Sequence, residues 1–160
     1  MNPSFREILE LLNKFDVEYI VVGGVAAVIQ GAPVTTFDID TLIRVNEVNA
    51  ARLEGALNEL DARFREHQTN FRPTKKDILA GGHLLLMTRA GPLDVLGFIG
   101  ENDCYEDLIT KSTPIPMAGG AINILNLEEL IRQKKTTDRP KDRATIELLE
   151  EVLRNRSSNG

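Results

Sequence analysis

The sequence predicts a single α/β domain of the α+β kind, in which helices flank a mixed β-sheet. The chain has 160 residues, 42% of them hydrophobic and 27% charged, which suits one soluble domain. Short runs rich in β-branched residues alternate with amphipathic stretches in the first third of the chain, a pattern typical of strands that alternate with helices. Two apolar runs separated by a turn follow, and they indicate an antiparallel hairpin.

The first third of the chain contains two predicted strands, each next to a helix. Apolar residues at helical spacing predict a helix over residues 3–14. Residues 19–22 are rich in β-branched side chains and predict a buried strand. Residues 25–30 then predict a short helix, residues 37–45 a second strand, and the stretch from Asn46 a helix of about three to four turns.

A polar segment over residues 66–83 divides the chain and predicts a loop, which at this length is functional or mobile. In chain order, the elements predicted after it are strands over residues 84–88 and 93–99, a helix over 103–110, strands over 113–117 and 121–125, and helices over 127–135 and 141–153. We therefore expect one domain over residues 1–154 and a flexible polar tail over residues 155–160.

Composition and charge exclude several classes of protein. The net charge of −5 argues against a long nucleic-acid track, which needs a surplus of lysine and arginine. A single cysteine, Cys104, excludes an intrachain disulfide scaffold. No signal peptide is evident, and the longest uncharged run, residues 19–37, has too short an apolar stretch for a membrane span. The sequence therefore predicts a cytoplasmic protein with no membrane partner.

Asp38-Ile39-Asp40 is the strongest chemical feature of the sequence. Because alternate side chains of a strand share a face, Asp38 and Asp40 point the same way while Ile39 points into the core. The two acids lie about 6.6 Å apart along the strand, and their carboxylates repel each other unless a cation lies between them. Oxygen ligands suit Mg²⁺. The alternative is an exposed edge strand on which both acids are solvated.

Two further features accompany this pair. Gly23-Gly24 closes one strand and opens a helix, where backbone N–H groups can approach a phosphate; the alternative is a plain tight turn. Asp94 is the one charged residue of an apolar strand, and such a charge needs a partner or a metal. If that strand lies beside the strand of Asp38 and Asp40, Asp94 completes a three-carboxylate cluster. The alternative is an acid at a strand start that accepts hydrogen bonds from the turn before it.

Together these residues resemble the nucleotidyltransferase superfamily, which has the polymerase β-like fold. The shared pattern is a hydrophobic residue, Gly23-Gly24, a spacer of 13 residues, Asp38-Ile39-Asp40, and Asp94 in a later strand. The chain is most similar to small bacterial members, such as abortive-infection toxin-type, minimal and aminoglycoside nucleotidyltransferases. The resemblance extends over about residues 17–150, and it implies the nucleotidyltransferase fold, a mixed β-sheet flanked by helices.

The end of the chain carries a second part of the resemblance. Small bacterial members have a lysine on a helix, then an arginine five residues later, then Lys-Asp; here these are Lys134, Arg139 and the pair that ends at Asp142. The chain departs from the family pattern at Val34, where relatives often carry arginine. It also departs at Thr41, where they carry a hydrophobic residue.

The resemblance implies a role for each matching residue. The residues that would hold a nucleoside triphosphate are Gly23 and Gly24, with Lys134 near its phosphates. The residues that would bind Mg²⁺, as two ions, are Asp38, Asp40 and Asp94. Asp94 can also be the base that takes the proton from an attacking hydroxyl. The implied activity is Mg²⁺-dependent transfer of a nucleoside monophosphate to a hydroxyl, in which two ions about 3.5–4 Å apart stabilise the attacking and leaving oxygens.

The sequence leaves the acceptor open between a small molecule, a protein side chain and an RNA end, within a toxin–antitoxin or resistance context. Because no second domain is evident, a partner protein or a homodimer is expected to complete the cleft. One alternative is a non-catalytic nucleotide-binding or protein-interaction module on the same fold. Another is a structural α/β domain without a site.

Overall fold

A computed structural model describes residues 3–66, 71–137 and 139–159 of the chain. Every element predicted from the sequence is present, with ends that differ by a few residues. In chain order the elements are α1 (Pro3–Lys14), β1 (Tyr19–Val22), α2 (Gly23–Ile29), β2 (Ile39–Ile43), α3 (Glu47–Glu59), β3 (Arg63–Phe64), α4 (Lys75–Leu79), β4 (His83–Thr88), β5 (Gly91–Leu96), α5 (Tyr105–Leu108) with a 3₁₀ turn (Ile109–Lys111), β6 (Ser112–Met117), β7 (Gly120–Leu125), α6 (Leu127–Lys135) and α7 (Pro140–Asn159).

The strands form one mixed sheet, as predicted. Over the described residues it has seven strands in the order β3-β4-β5-β2-β1-β7-β6. The pairs β2–β5 and β1–β7 are parallel, and the other pairs are antiparallel. The parallel pairs join strands that are far apart in the sequence, so the middle of the sheet depends on contacts that no local pattern specifies.

The two faces of the sheet differ in how completely they are covered. On one face the central strands carry side chains that are at most 1% exposed: Val21, Ile39, Leu86, Leu93 and Val95. On the other face Ile20 and Leu42 are fully buried, whereas Met87 is 44% exposed. The register places Leu85 opposite Asp94, and Asp94 opposite Asp40, on this second face. Asp40 and Asp94 therefore lie on the second face between its fully buried part and its exposed part.

Two described elements are not predicted by the sequence pattern. The two-residue strand β3 adds an edge to the sheet beside β4. The segment 66–83, predicted as a loop, contains α4 in its described part. Thr74 and Asp77 form a capping box at the start of α4, and the Lys75 backbone N–H donates to the Glu54 carboxylate of α3 at 2.6 Å. These local bonds stabilise a helix too short to show a hydrophobic period.

The hairpin between β4 and β5 is tighter than predicted. β5 begins at Gly91, so Arg89 and Ala90 alone connect the two strands. The Thr88 hydroxyl donates to the Gly91 carbonyl at 2.8 Å and accepts from the Ala90 N–H at 3.0 Å, which closes the turn. β5 ends at Leu96 rather than at residue 99, and here the chain passes so close to Gly81 that a Cβ on Gly97 would lie 2.2 Å from its carbonyl oxygen.

The last helix is longer than predicted. α7 continues to Asn159 instead of ending at Leu153, so the stretch that composition assigns to a frayed tail is helical up to that residue. Arg156 near its end donates to the Gln30 carbonyl at 2.7 Å and connects α7 to the end of α2. The flexibility of residues 155–160 in solution stays a prediction. Within the described parts of the chain, none of the helices combines the length and the apolar character that a membrane crossing requires.

Candidate metal centre

Parallel pairing of β2 and β5 brings the three predicted acids together. Asp40 lies directly opposite Asp94 in the register of these strands, and Asp38 comes just before β2. Paired residues of neighbouring strands stand on the same face of the sheet. One carboxylate oxygen from each acid lies within 4.8 Å of the others. The strand that carries Asp94 therefore lies beside the strand of Asp40, which is the arrangement required for Asp94 to complete the cluster.

Two threonine hydroxyls fix the backbone around these acids. Thr36 donates to the Asp38 carbonyl at 2.9 Å, in the segment that leads into β2. Thr41 is 1% exposed, and its hydroxyl donates to the Asp94 backbone carbonyl at 3.0 Å. A hydrophobic side chain could not make this bond. The departure from the family pattern at Thr41 therefore adds a tie between β2 and β5 next to the acids.

Burial, together with the crowding of the acids, raises the pKa values of Asp38 and Asp40. Burial is the largest cause at Asp40, and the charges of Asp38 and Asp94 add to it, so that the pKa of Asp40 rises from 3.8 to about 8. Burial also raises the pKa of Asp38, and the Asp94 charge is the next cause. Such a cluster favours whatever reduces the repulsion, which is either a proton or a cation.

One oxygen of the cluster lacks a hydrogen-bond partner among the described residues. Asp40 Oδ1 is buried, and no donor reaches it. A buried carboxylate oxygen without a donor is costly, because it has lost its hydration and gained nothing in return. A divalent cation would satisfy it, and three carboxylates are oxygen donors of the kind that Mg²⁺ prefers. The residues present therefore fit a magnesium site.

An arginine also lies at the cluster. Arg65 Nη2 donates to Asp94 Oδ1 at 2.8 Å, and the positive charge of Arg65 opposes the rise of the Asp38 pKa. The Arg65 side chain is 28% exposed and that of Asp94 is 14% exposed, so the pair is shielded from solvent in part. Sequence reasoning missed Arg65, because it lies in a polar stretch far from the aspartates and belongs to no motif.

The glycine pair lets the start of α2 approach the strand that carries the acids. Gly23 has φ +65°, and a Cβ on it would lie 2.3 Å from Asp40 Oδ2. A Cβ on Gly24 would lie 2.8 Å from the Thr36 hydroxyl. The helix begins at Gly23 itself rather than at residue 25, so both glycines belong to its first turn. Their predicted contact with a triphosphate stays a prediction.

A pocket of about 260 Å³ opens beside Asp40, and Gly23 and Lys134 are among the residues that line it. Apolar side chains at strand ends line the pocket, and so do residues at the junction between α6 and α7. The Lys134 side chain is 25% exposed, and its positive charge opposes the rise of the Asp40 pKa. The structure thus places Lys134 on the same pocket as the acids.

Asp142 organises the basic residues at the junction of α6 and α7. It is 3% exposed and accepts hydrogen bonds from the Thr137 hydroxyl at 2.5 Å and from Arg139 Nε at 2.7 Å. Lys134 Nζ lies 3.8 Å from its other oxygen. Burial acts to raise the Asp142 pKa, but these bonds and charges outweigh it and lower the pKa overall. Asp142 is therefore a buried anion that holds Lys134 and Arg139 together.

No family model matches the chain, and no curated protein matches it in sequence. Solved structures do match. A candidate nucleotidyltransferase from Thermotoga maritima matches at 20% identity and a TM-score of 0.57, over 98% of this chain and 91% of that one. The lincosamide antibiotic adenylyltransferase LnuA, with lincomycin bound, matches at 14% identity and a TM-score of 0.66, over 95% and 98%. ANT(2'')-Ia in complex with adenylyl-2''-tobramycin matches at 16% identity and a TM-score of 0.56, over 96% and 93%.

The chain has the nucleotidyltransferase fold. The matches cover nearly all of each chain, so the likeness includes the mixed sheet and the helices around it. At 14–20% identity the likeness is one of fold, and it confirms the fold that the resemblance implies.

Within the nucleotidyltransferase fold, most of the predicted site residues come together around the start of β2 and the part of β5 that pairs with it. Asp38, Asp40 and Asp94 form the cluster, while Gly23 and Lys134 line the pocket beside it. Gly24 packs against Thr36 and is not among the residues that line this pocket. Two further residues, Arg65 and Asp142, hold members of the set in place. The sequence did contain a signal for Asp142, because it ends the Lys-Asp pair that resembles the family pattern.

Proposed function

We propose that this protein is a Mg²⁺-dependent nucleotidyltransferase, which transfers a nucleoside monophosphate from a nucleoside triphosphate to a hydroxyl acceptor. The observation that carries the proposal is the cluster of Asp38, Asp40 and Asp94, whose oxygens lie within 4.8 Å of one another. Its buried Asp40 oxygen has no donor among the described residues. The fold supports it as well, because LnuA, named an adenylyltransferase, and ANT(2'')-Ia share that fold.

The three aspartates hold Mg²⁺, as two ions, in this proposal. When bound, the metal supplies positive charge that stabilises the attacking and leaving oxygens. The acceptor hydroxyl oxygen forms a bond to the α-phosphorus, its proton passes to Asp94, and the bond to the bridging oxygen breaks so that pyrophosphate leaves. The chain contributes mainly positioning and charge, as is usual in phosphoryl transfer.

The nucleotide lies against the start of α2 and the pocket beside Asp40. Gly23 and Gly24 give the triphosphate access to the backbone at this turn, because neither has a side chain in the way. Lys134 lies on the same pocket, and an ammonium group there offsets phosphate charge. Asp142 keeps that lysine at the pocket.

A small molecule with a free hydroxyl is the acceptor we favour. LnuA is known with lincomycin bound and ANT(2'')-Ia with adenylyl-2''-tobramycin, and this chain matches each over more than nine-tenths of its length. A protein side chain and an RNA end are the alternatives, in a toxin–antitoxin or a resistance setting. A homodimer or partner protein that completes the acceptor side of the cleft, and a cytoplasmic location, stay predictions.

The experiment is an unbiased search for the adduct. The protein is incubated with Mg²⁺, α-labelled ATP, GTP, CTP or UTP and fractionated cell extract, and labelled products are identified by mass spectrometry. We expect one nucleotide to label one class of acceptor. Asp94→Asn should abolish labelling, whereas Asp61→Asn, which alters an acid that pairs with Arg63 and Arg72, should leave it unchanged.

Three outcomes separate the candidate functions. If label transfer persists in Asp94→Asn, the role assigned to Asp94 is wrong. If nucleotides bind in Mg²⁺ but no fraction is labelled, the protein is a non-catalytic nucleotide-binding module. If no nucleotide binds at all, the proposed function fails.

A further inference from the structure

Arg65 lies beside Asp94 and is fastened to the sheet by its backbone and its side chain. Its backbone N–H donates to the Leu85 carbonyl at 2.9 Å, which extends the β3–β4 pairing by one residue. Its guanidinium makes two bonds with different nitrogens, Nη1 to the Leu86 carbonyl at 3.0 Å and Nη2 to Asp94 Oδ1 at 2.8 Å. Since Leu85 is the register partner of Asp94, the arginine reaches across β4 to the acid.

These two side-chain bonds fix the direction of the guanidinium. A planar guanidinium that bonds a backbone carbonyl through one nitrogen has little freedom left to turn the other. The Leu86 carbonyl belongs to a strand of the sheet, and the Arg65 side chain is 28% exposed. The group is therefore held as part of the sheet rather than extended into solvent.

The same bonds fix the direction of the Asp94 carboxylate. Oδ1 faces Arg65, and the carboxyl is also within hydrogen-bonding reach of Asp38 and Asp40. An aspartate turns easily about its terminal torsion, so a carboxylate without such a tie samples several orientations. Outer partners that orient ligand carboxylates are a general feature of metal sites, and their loss typically costs about 10–100-fold in metal affinity.

We propose that Arg65 is a positioning residue of the metal centre, which holds Asp94 Oδ1 so that the other oxygen stays directed at the cation. The proposal rests on the metal site of the proposed function and adds a residue to it. The competing role is that of a resident cation, in which the guanidinium occupies the place of the divalent ion and must leave when the ion binds. The bond to the Leu86 carbonyl favours positioning, because a group that has to leave would lose this bond as well.

The experiment measures Mn²⁺ affinity without any nucleotide or turnover. Free Mn²⁺ is followed by electron paramagnetic resonance during titration of the parent protein, the variants Arg65→Met and Arg65→Lys, and the control Arg63→Met. Arg63 lies two residues away and pairs with Asp61. We expect Arg65→Met to bind Mn²⁺ about 10–100-fold more weakly. Arg65→Lys keeps the positive charge but cannot bond the Leu86 carbonyl and Asp94 at once through a planar guanidinium, so its Mn²⁺ affinity should fall in between. Arg63→Met should match the parent.

The outcomes distinguish the two roles and the metal site itself. Unchanged Mn²⁺ affinity in Arg65→Met overturns the proposal, and tighter binding overturns it in favour of the resident cation. If Arg65→Met does not fold by circular dichroism, Arg65→Lys decides, because parent-like Mn²⁺ affinity in that variant would also overturn the positioning role. If the parent itself binds no Mn²⁺ while folded, the metal site of the proposed function fails, and this inference fails with it.

Discussion

Gly23 and Asp40 are packed so closely that one constrains the other. A Cβ on Gly23 would meet three atoms of the Asp40 side chain, at 2.3, 3.1 and 3.3 Å, and rotation of the carboxylate relieves only part of this overlap. Gly23 also has φ +65°, a backbone conformation that residues other than glycine adopt only at a cost in free energy. The residue is thus needed for the position of the acid as well as for the turn.

Gly23→Ala should destabilise the protein more than Gly119→Ala. Both glycines have positive φ, and each alanine should cost about 1–3 kcal/mol for backbone strain. Apart from its chain neighbours, no heavy atom of the described residues would lie within 4 Å of a methyl group on Gly119. Only Gly23→Ala therefore adds an overlap, which costs about 1–3 kcal/mol more. Urea denaturation of both variants measures the difference. Equal losses would mean that the contact with Asp40 is not a constraint.

The raised pKa of Asp40 makes the stability of the metal-free protein depend on pH. In the unfolded chain this carboxyl has its ordinary pKa of 3.8, and in the folded state the pKa is about 8. Between these values the folded protein holds a proton that the unfolded chain lacks. The free energy of unfolding should therefore fall as pH rises from about 4 to about 8. Asp40→Asn cannot ionise, so it should lose most of this slope and be the more stable protein at pH 8.

Thermal unfolding in EDTA at three pH values across this range tests the prediction. The control is Asp61→Asn, whose acid pairs with arginines at the surface and should keep the slope of the parent. Mg²⁺ should reduce the slope in the parent, because a bound cation stabilises the ionised acids. A parent and an Asp40→Asn variant with the same slope would contradict the assignment.

At the residue scale, strand alternation made the acids predictable and left their partners unpredictable. Asp38 and Asp40 share a face because they are two residues apart along a strand, and Asp94 is the one charge in an apolar run. Arg65 carries no such signal. It follows directly after a strand of two residues, β3, and nothing in a polar stretch of sequence indicates that pairing.

The junction between α6 and α7 is the element that holds the predicted basic group. The last turn of α6 contains Arg132, Lys134 and Lys135. The helix dipole stabilises positive charge at this end of a helix. Asp142 in the first turn of α7 then accepts bonds from Thr137 and from Arg139, which both precede that helix. The buried acid explains why two cations can lie close together beside the pocket.

Asp142→Asn should destabilise the junction and displace Lys134. We expect a loss of about 1–3 kcal/mol in the free energy of unfolding, because bonds to a charged and buried acceptor become neutral ones. Glu150→Gln is the matched control, since Glu150 pairs with Lys135 at the surface, and it should cost at most about 1 kcal/mol. Urea denaturation gives both values. A loss in Asp142→Asn no larger than that of the control would rule out an organising role.

Elements with a clear hydrophobic periodicity were predictable from the sequence, whereas elements held by single contacts were not. α1, β1 and α3 follow from hydrophobic spacing and turn residues. α4 is five residues long, and its capping box and its bond to Glu54 cannot be recognised as a helix from spacing alone. The pairing of β2 with β5 is a contact across about fifty residues, which the isolated Asp94 suggested but local sequence could not establish.

The whole molecule joins an acidic surface to a site that attracts cations. The net charge of −5 includes the three aspartates of the cluster, whose repulsion a bound divalent ion would relieve. The fold was predictable because helices and strands alternate and because the glycine and aspartate motifs lie at fixed places in it. The acceptor and the subunit arrangement depend on surfaces that a single chain does not specify, so they stay predictions.

The central claim is that the three aspartates form a metal-dependent nucleotide site. Isothermal titration of the protein with ATP, GTP, CTP and UTP, in Mg²⁺ and in EDTA, tests it most directly. We predict that at least one nucleotide binds in Mg²⁺, and that binding is lost in EDTA and in Asp40→Asn. If none of the four nucleotides binds to the folded protein in Mg²⁺, or if binding is the same without metal, the claim is contradicted.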